Sequence, residues 1–169
     1  GLQKHIWTCL PVSVVVDSDG HTVSVQPTIK GQQIDQSGKV KHVDMPVLND
    51  VRIHHMSGGG VTITTPIKSG DEGIVVFSSR PIDSWAQSGG AQQQIDQRMH
   101  SLSDAFYIPG VRSDARKLDN VSTSSTQIRT DDGQHVIDLK PGSGMTLTSG
   151  GVSMAMTPAG VAFNGGTIT

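Results

Sequence analysis

Aromatic residues are nearly missing from this chain: two tryptophans, one tyrosine and three phenylalanines make up 4% of its 169 residues. A self-contained β-sandwich normally packs large aromatics between its sheets, so that route to a globular core is poorly supplied. Cysteine is represented by Cys9 alone, which excludes an intrachain disulfide and a thiolate metal cluster and leaves a buried or idle thiol as the ordinary reading. No apolar run reaches the roughly 18 residues that read as a membrane helix, and no charged-then-apolar leader opens the chain. A surplus of either charge is also lacking. With 13 Lys plus Arg against 15 Asp plus Glu the formal net charge is -2, which offers no general attraction to nucleic acid or to anionic membranes. The chain opens on Gly1 rather than methionine, so a missing leader, tag or clipped arm is one expectation.

What the chain does have is glycine, 20 residues of it, and short alternating segments. From Thr126 onward these read TQIRT, HVIDL, GMTLT, GVSMAMT, GVAFN and TIT, each cut off by a turn, with Gly133, Gly144, Gly151, Gly160 and Gly165 as the turn glycines. Side chains two apart on a strand share a face. Counting by twos puts Ile128, Ile137, Leu139, Met145, Leu147, Val152, Met154, Met156, Val161 and Phe163 on one face. The other face is polar or small, with Val136 as its exception. One chain of short strands has no second layer to cover such a face. Each buried aliphatic side chain contributes about 1.5 to 3 kcal/mol, which the backbone ordering cost of about 1 to 2 kcal/mol per residue offsets. The apolar row is therefore expected to meet copies of itself, and three intertwined chains around a narrow apolar axis are the favoured arrangement.

The first 80 or so residues carry a second set of strands: Val12–Val16, His21–Ile29, Val40–Val43, Val47–His55, Val61–Thr65 and Gly73–Phe77. Short strands with tight turns in such a length suggest a small Greek-key barrel of the OB type, with a sandwich fragment as its competitor. Arg80–Ser125 is richer in Ser, Gln, Gly and Asp, and Ile95, Met99 and Leu102 have the spacing of a short helix or turn within Gln92–Leu102. The expected organisation is an all-β chain: an OB-fold barrel over 1–85, a connector with a short helix or turn over 86–125, and a trimeric β-helical stem over 126–169.

Candidate chemical sites carry little. His54 and His55 are adjacent and point to opposite faces of a strand, so one ion cannot readily take both. His100 and Asp104 could act as base and orienting carboxylate, but no nucleophile elbow accompanies them, and a hydrogen bond fixing the connector is the favoured role. Gly58-Gly59-Gly60 lacks the Lys-Ser/Thr and helix of a phosphate loop and continues as strand, so it reads as a hairpin or bulge. Asp71-Glu72 reads as a turn rather than a glycosidase pair. Trp7 and Trp85 without a basic stripe read as packing residues at the barrel edge rather than a stacking platform. No catalytic residue, metal ligand or cofactor is expected.

Three runs, TVSVQPTIKG (Thr22–Gly31), GGGVTITTPIKSGDEGIVVFSSRPIDSW (Gly58–Trp85) and RMHSLSDAFYIPG (Arg98–Gly110), together resemble the membrane-puncturing central spike family of contractile-tailed phages, the baseplate protein V type. The resemblance covers most of residues 11–112. It implies a homotrimeric, non-enzymatic virion protein of the tail baseplate, whose OB domain attaches to tail hub or tube proteins. It also implies a stem that contacts the host outer membrane and periplasm on tail contraction. One departure is visible. Related spikes often end in an apex with a His-x-His ion site, whereas no histidine follows His135 and the chain stops at Thr169. A missing tip, a metal-free tip and a separate tip protein are the three readings. The alternatives to a phage spike are an OB-domain module binding glycan or nucleic acid on a β-helical stalk, and a type VI secretion spike component.

Overall fold

A computed structural model describes residues 6–164, which divide into two compact units meeting between Ser113 and Asp114. Both are built almost wholly of strands. In the first unit, β1 (Cys9–Val14), β2 (Thr22–Pro27), β5 (Leu48–Ile53), β8 (Glu72–Phe77) and β9 (Ala105–Pro109) form a closed barrel in the order β1-β2-β5-β9-β8. Neighbouring strands pair antiparallel except β5 and β9, which run parallel with Arg52 opposite Phe106 and Ile53 opposite Tyr107. Two hairpins interrupt the sequence of barrel strands: β3 (Gly31–Ile34) with β4 (Val40–Val43), and β6 (Met56–Gly58) with β7 (Val61–Ile63).

Alternation sets the core. Val12 and Val14, Val23 and Val25, Val75 and Phe77, and Ala105 and Tyr107 are each two apart, and all are buried. Strand β5 breaks the rule, because Leu48 and Val51 are three apart and both buried. The reason is a bulge: Asp50 sits at φ 54, and the β2–β5 register shifts between Val23 and Val25. An extra residue in the left-handed region restores the inward face after the interruption. Tyr107 is the largest fully buried side chain and its hydroxyl donates to the Glu72 carbonyl at 3.3 Å. Burial first, and then the Asp71 charge, push its phenol up to about 12.

The structure corrects the expected boundary of the barrel. Ala105–Pro109 lies in the segment read as connector, yet it is the strand that bridges β5 and β8 and closes the barrel. Of the helix or turn expected within Gln92–Leu102 no helix forms and a turn falls at Leu102–Ser103, while the helix α1 spans Asp83–Ser88. Ile95 and Met99 are exposed and only Leu102 packs, half-buried, against the barrel core, so the helical spacing does not bring the three onto one buried face. His100 moreover adopts φ 48, which no helix tolerates.

In the second unit a 3-10 turn at Asp114–Arg116 precedes a five-stranded sheet, β10 (Thr126–Arg129), β11 (His135–Lys140), β12 (Gly144–Ser149), β13 (Val152–Thr157) and β14 (Gly160–Asn164). Each strand pairs antiparallel with the next in chain order. The final expected segment, Thr167–Thr169, and the turn glycine Gly165 lie outside the described residues.

Gly73 sits where the barrel leaves no room for a side chain. A Cβ there would stand 2.5 Å from the Ile108 carbonyl oxygen and 2.5 Å from the Tyr107 ring, and backbone cannot yield as a flexible side chain can. Gly73→Ala is expected to destabilise the first unit by about 3 kcal/mol, the upper end of ordinary overpacking. The urea midpoint read from tryptophan fluorescence checks this, and an unchanged midpoint would contradict it.

Candidate functional site

The sheet of the second unit aligns the apolar residues across all five strands. Ile128 stands opposite Ile137, Ile137 opposite Leu147, Leu147 opposite Met154 and Met154 opposite Phe163. A second row runs Leu139, Met145, Met156 and Val161, again directly opposed from strand to strand. Val152 continues the face opposite Ser149. The residues counted by twos in the sequence therefore do lie on one continuous face. Every one of them is exposed except Met154 and Met156, which are half-buried. Phe163 remains 57% and Ile128 60% accessible, so this face has no cover among the described residues. Part of it forms a shallow, open hollow of about 640 Å³ whose lining includes Ile128, Ile137, Leu147, Val152, Met154 and Phe163.

The opposite face is the more sheltered one, although it is polar. Gln127 and Asp138 are register partners, and the Asp138 carboxylate accepts from Ser125 Oγ at 2.5 Å and Gln127 Nε2 at 2.7 Å. Those bonds, the Ser125 one foremost, hold its carboxyl below the usual carboxylate range. Arg129 donates to the Asn120, Thr130 and Asp131 carbonyls around the β10–β11 turn. Gln127, Arg129 and Asp138 on this side thus find partners within the chain, whereas the apolar side has no cover among the described residues.

The turn glycines differ among themselves. Gly133, Gly144 and Gly160 adopt positive φ, while at the β12–β13 turn that conformation belongs to Gly150 rather than to Gly151. Gly144 is the most constrained: at φ 127, a Cβ would fall 2.1 Å from the Met156 carbonyl oxygen. Only glycine lets β12 start there against β13.

The candidate residues of the first unit resolve into structural roles. His54 is exposed, and half-buried His55 places Nε2 3.1 Å from the Gly20 carbonyl oxygen. The triple glycine makes a two-residue hairpin turn, with Gly59 and Gly60 both at positive φ. Asp71 accepts from the Lys68 N–H, and Glu72 from the Ser113 N–H and hydroxyl. Trp7 packs against the barrel core, and Trp85 meets Phe106 edge to face at 5.8 Å. No group of three or more His, Cys, Asp and Glu side chains gathers to hold a metal among the described residues.

The disfavoured base-and-carboxylate pairing of His100 with Asp104 does not form. His100 Nδ1 lies 3.2 Å from the Trp7 carbonyl oxygen, and Asp104 is taken by Arg98. Arg98 Nε and Nη2 donate to the two Asp104 oxygens at 2.8 Å each, and the guanidinium also reaches Asp83 and Asp96. The Ile82 N–H completes the shell of fully buried Asp104 at 3.1 Å. Burial alone would push the Asp104 carboxyl up, but the Arg98 hydrogen bonds, the Ile82 N–H and the Arg98 charge outweigh it and hold the group low. This clasp binds the connection between β8 and β9 into the first unit. Sequence spacing could not single out Arg98, since nothing in its local pattern separates a buried-ion partner from a surface arginine.

Linkage fixes the sign of its pH dependence. A folded carboxyl held low contributes fully above its unfolded value near 4 and loses that contribution as pH falls through the folded pKa. Arg98→Met leaves a buried carboxylate without its partner, an expected loss of about 3 to 5 kcal/mol at pH 7. Because protonation then relieves Asp104, the gap to wild type should narrow at pH 4 in urea titrations. A gap that stays constant between the two pH values would contradict the clasp.

Among known proteins, residues 10–110, well over half of the chain, match the family described as the phage protein Gp138 N-terminal domain. The match covers the barrel and its hairpins and stops before the second unit. No curated protein matches the chain.

Proposed function

The chain belongs to the phage Gp138 N-terminal domain family, and we propose that it is a homotrimeric tail spike without enzymatic activity, which joins a tail hub through its barrel and pierces the host outer membrane with its stem. The observation that carries this reading is the apolar face of β10–β14, aligned strand by strand and exposed among the described residues. Copies of the same sheet offer the complementary surface, and burying the rows between chains supplies the stabilisation that one chain lacks.

The barrel supports the attachment half of the reading. Counting only barrel strands in chain order, neighbours run first, second, third, fifth, fourth and back to first, with the third and fifth parallel. That order favours an OB-type barrel, a closed unit with no strand edge left for further pairing. A spike also has to carry axial load. Strands tied to copies across a shared apolar axis resist unravelling together, and an outer surface of Thr, Ser and Gly gives passage through lipid rather than residence in it. Membership in a phage family supports a virion location. Contact with hub proteins, with the outer membrane and with a separate tip protein belongs to this proposal.

The parity of β13 provides the test. Met154 faces the apolar side and Ser153 the other. Met154→Asp would bring carboxylates from all copies together in a dry core, where desolvation and like charge both oppose ionisation. The expected outcome is loss of the assembled species in sedimentation velocity, with Ser153→Asp staying assembled. Equal tolerance of both substitutions would reject the face as the assembly surface.

A further inference from the structure

We propose that the β6–β7 hairpin is a strand-pairing arm that docks on a neighbouring copy of this chain, an inference that rests on the trimeric reading above. Every residue from Met56 to Pro66 is exposed, and the stretch from Ile53 to Ile67 contains no Asp, Glu, Lys or Arg. The hairpin register puts Met56 opposite Ile63 and Gly58 opposite Val61, so Met56, Val61 and Ile63 share one face. They are 68%, 70% and 47% accessible. On the other face the Ser57 and Thr62 hydroxyls bond each other at 2.8 Å.

Among the described residues β6 and β7 pair only with one another, so both outer edges are open. Folded proteins normally protect such edges with charge, proline or a bulge inside the strand. The other open hairpin of this unit follows that practice, with Lys41 in β4 and Asp35 and Lys39 in its loop. The β6–β7 hairpin does not, although its turn is well formed, with Gly59 and Gly60 at φ 59 and 82. A lone two-stranded hairpin is marginal in water. An uncharged, open-edged, apolar-faced one is built to be covered.

Its size selects the occupant. A stable interface between free partners engages about 20 to 30 residues on each side, and an arm running from Met56 to Pro66 supplies far fewer. Such an arm is sufficient only where another contact already holds the partner at an effective concentration on the order of millimolar. The stem assembly provides that contact between copies of this chain, so the arm completes an assembly rather than recruiting an unattached protein.

Hydrogen exchange on the full chain tests this, comparing wild type with the dissociating Met154→Asp variant. Amides of Val61–Thr65 are expected to exchange at least about tenfold more slowly in the assembled wild type, because interchain strand bonds must open first. Amides of β8, inside the closed barrel, should not differ. A Val61→Lys, Ile63→Lys double variant should still sediment as the assembly while its arm exchanges at the dissociated rate. Equal arm exchange in the assembled and dissociated proteins overturns the inference, whether fast in both or slow in both; the slow outcome would mean that something other than a neighbouring copy covers the arm. A wild type that sediments as a single chain overturns the trimeric reading as well, and sedimentation separates that failure from a failure of the arm alone.

Discussion

An apolar sheet face left exposed among the described residues is the constraint on which the second unit depends. Five short strands have no second layer, and their opposed rows from Ile128 to Phe163 and from Leu139 to Val161 face outward. Hydrogen bonds between neighbouring strands do nothing to remove that face from water. The polar side is meanwhile satisfied from within, by Asp138 with Ser125 and Gln127 and by Arg129 with its ring of carbonyls. The unit is therefore finished on the side that usually faces solvent and unfinished on the side that usually makes a core.

The first unit solves the same problem alone. Closing β1, β2, β5, β9 and β8 on themselves turns alternating valines into an interior, with Tyr107 packed so close over Gly73 that no side chain fits there. The Arg98 clasp then ties the long β8–β9 connection into the unit through one buried carboxylate. Closure leaves no barrel edge for pairing, so open edges fall to the inserted hairpins, and only β6–β7 leaves its own without charge. The first unit buries its own core while the second leaves an apolar face exposed, and the family match, residues 10–110, ends before the second unit begins.

The apolar face of the second unit is legible in the sequence because strand parity is strictly local: TQIRT through GVAFN alternate with Val136 as the one exception, and antiparallel pairing keeps that alternation in every register. The barrel was harder for the same physical reason. In β5 the bulge at Asp50 resets parity, so Leu48 and Val51 both turn inward without a period of two. Strand β9 was assigned to the connector because its pairing with β5 and β8 is non-local, and AFYIP amid Ser- and Asp-rich sequence carries only a weak signal of its own. Of the helix or turn expected with Ile95, Met99 and Leu102 no helix forms, because spacing alone supplies no burial and only Leu102 packs against the core. Arg98 stayed hidden because its role lies in where the chain carries Asp104, which no local pattern records.

The mass of the full chain in solution tests the central claim most directly. Sedimentation equilibrium should return three times the 17.8 kDa of one chain, without dissociation on dilution through the micromolar range. A stable species of 17.8 kDa would mean that the open face is tolerated by a single chain, and the account of the stem would fail.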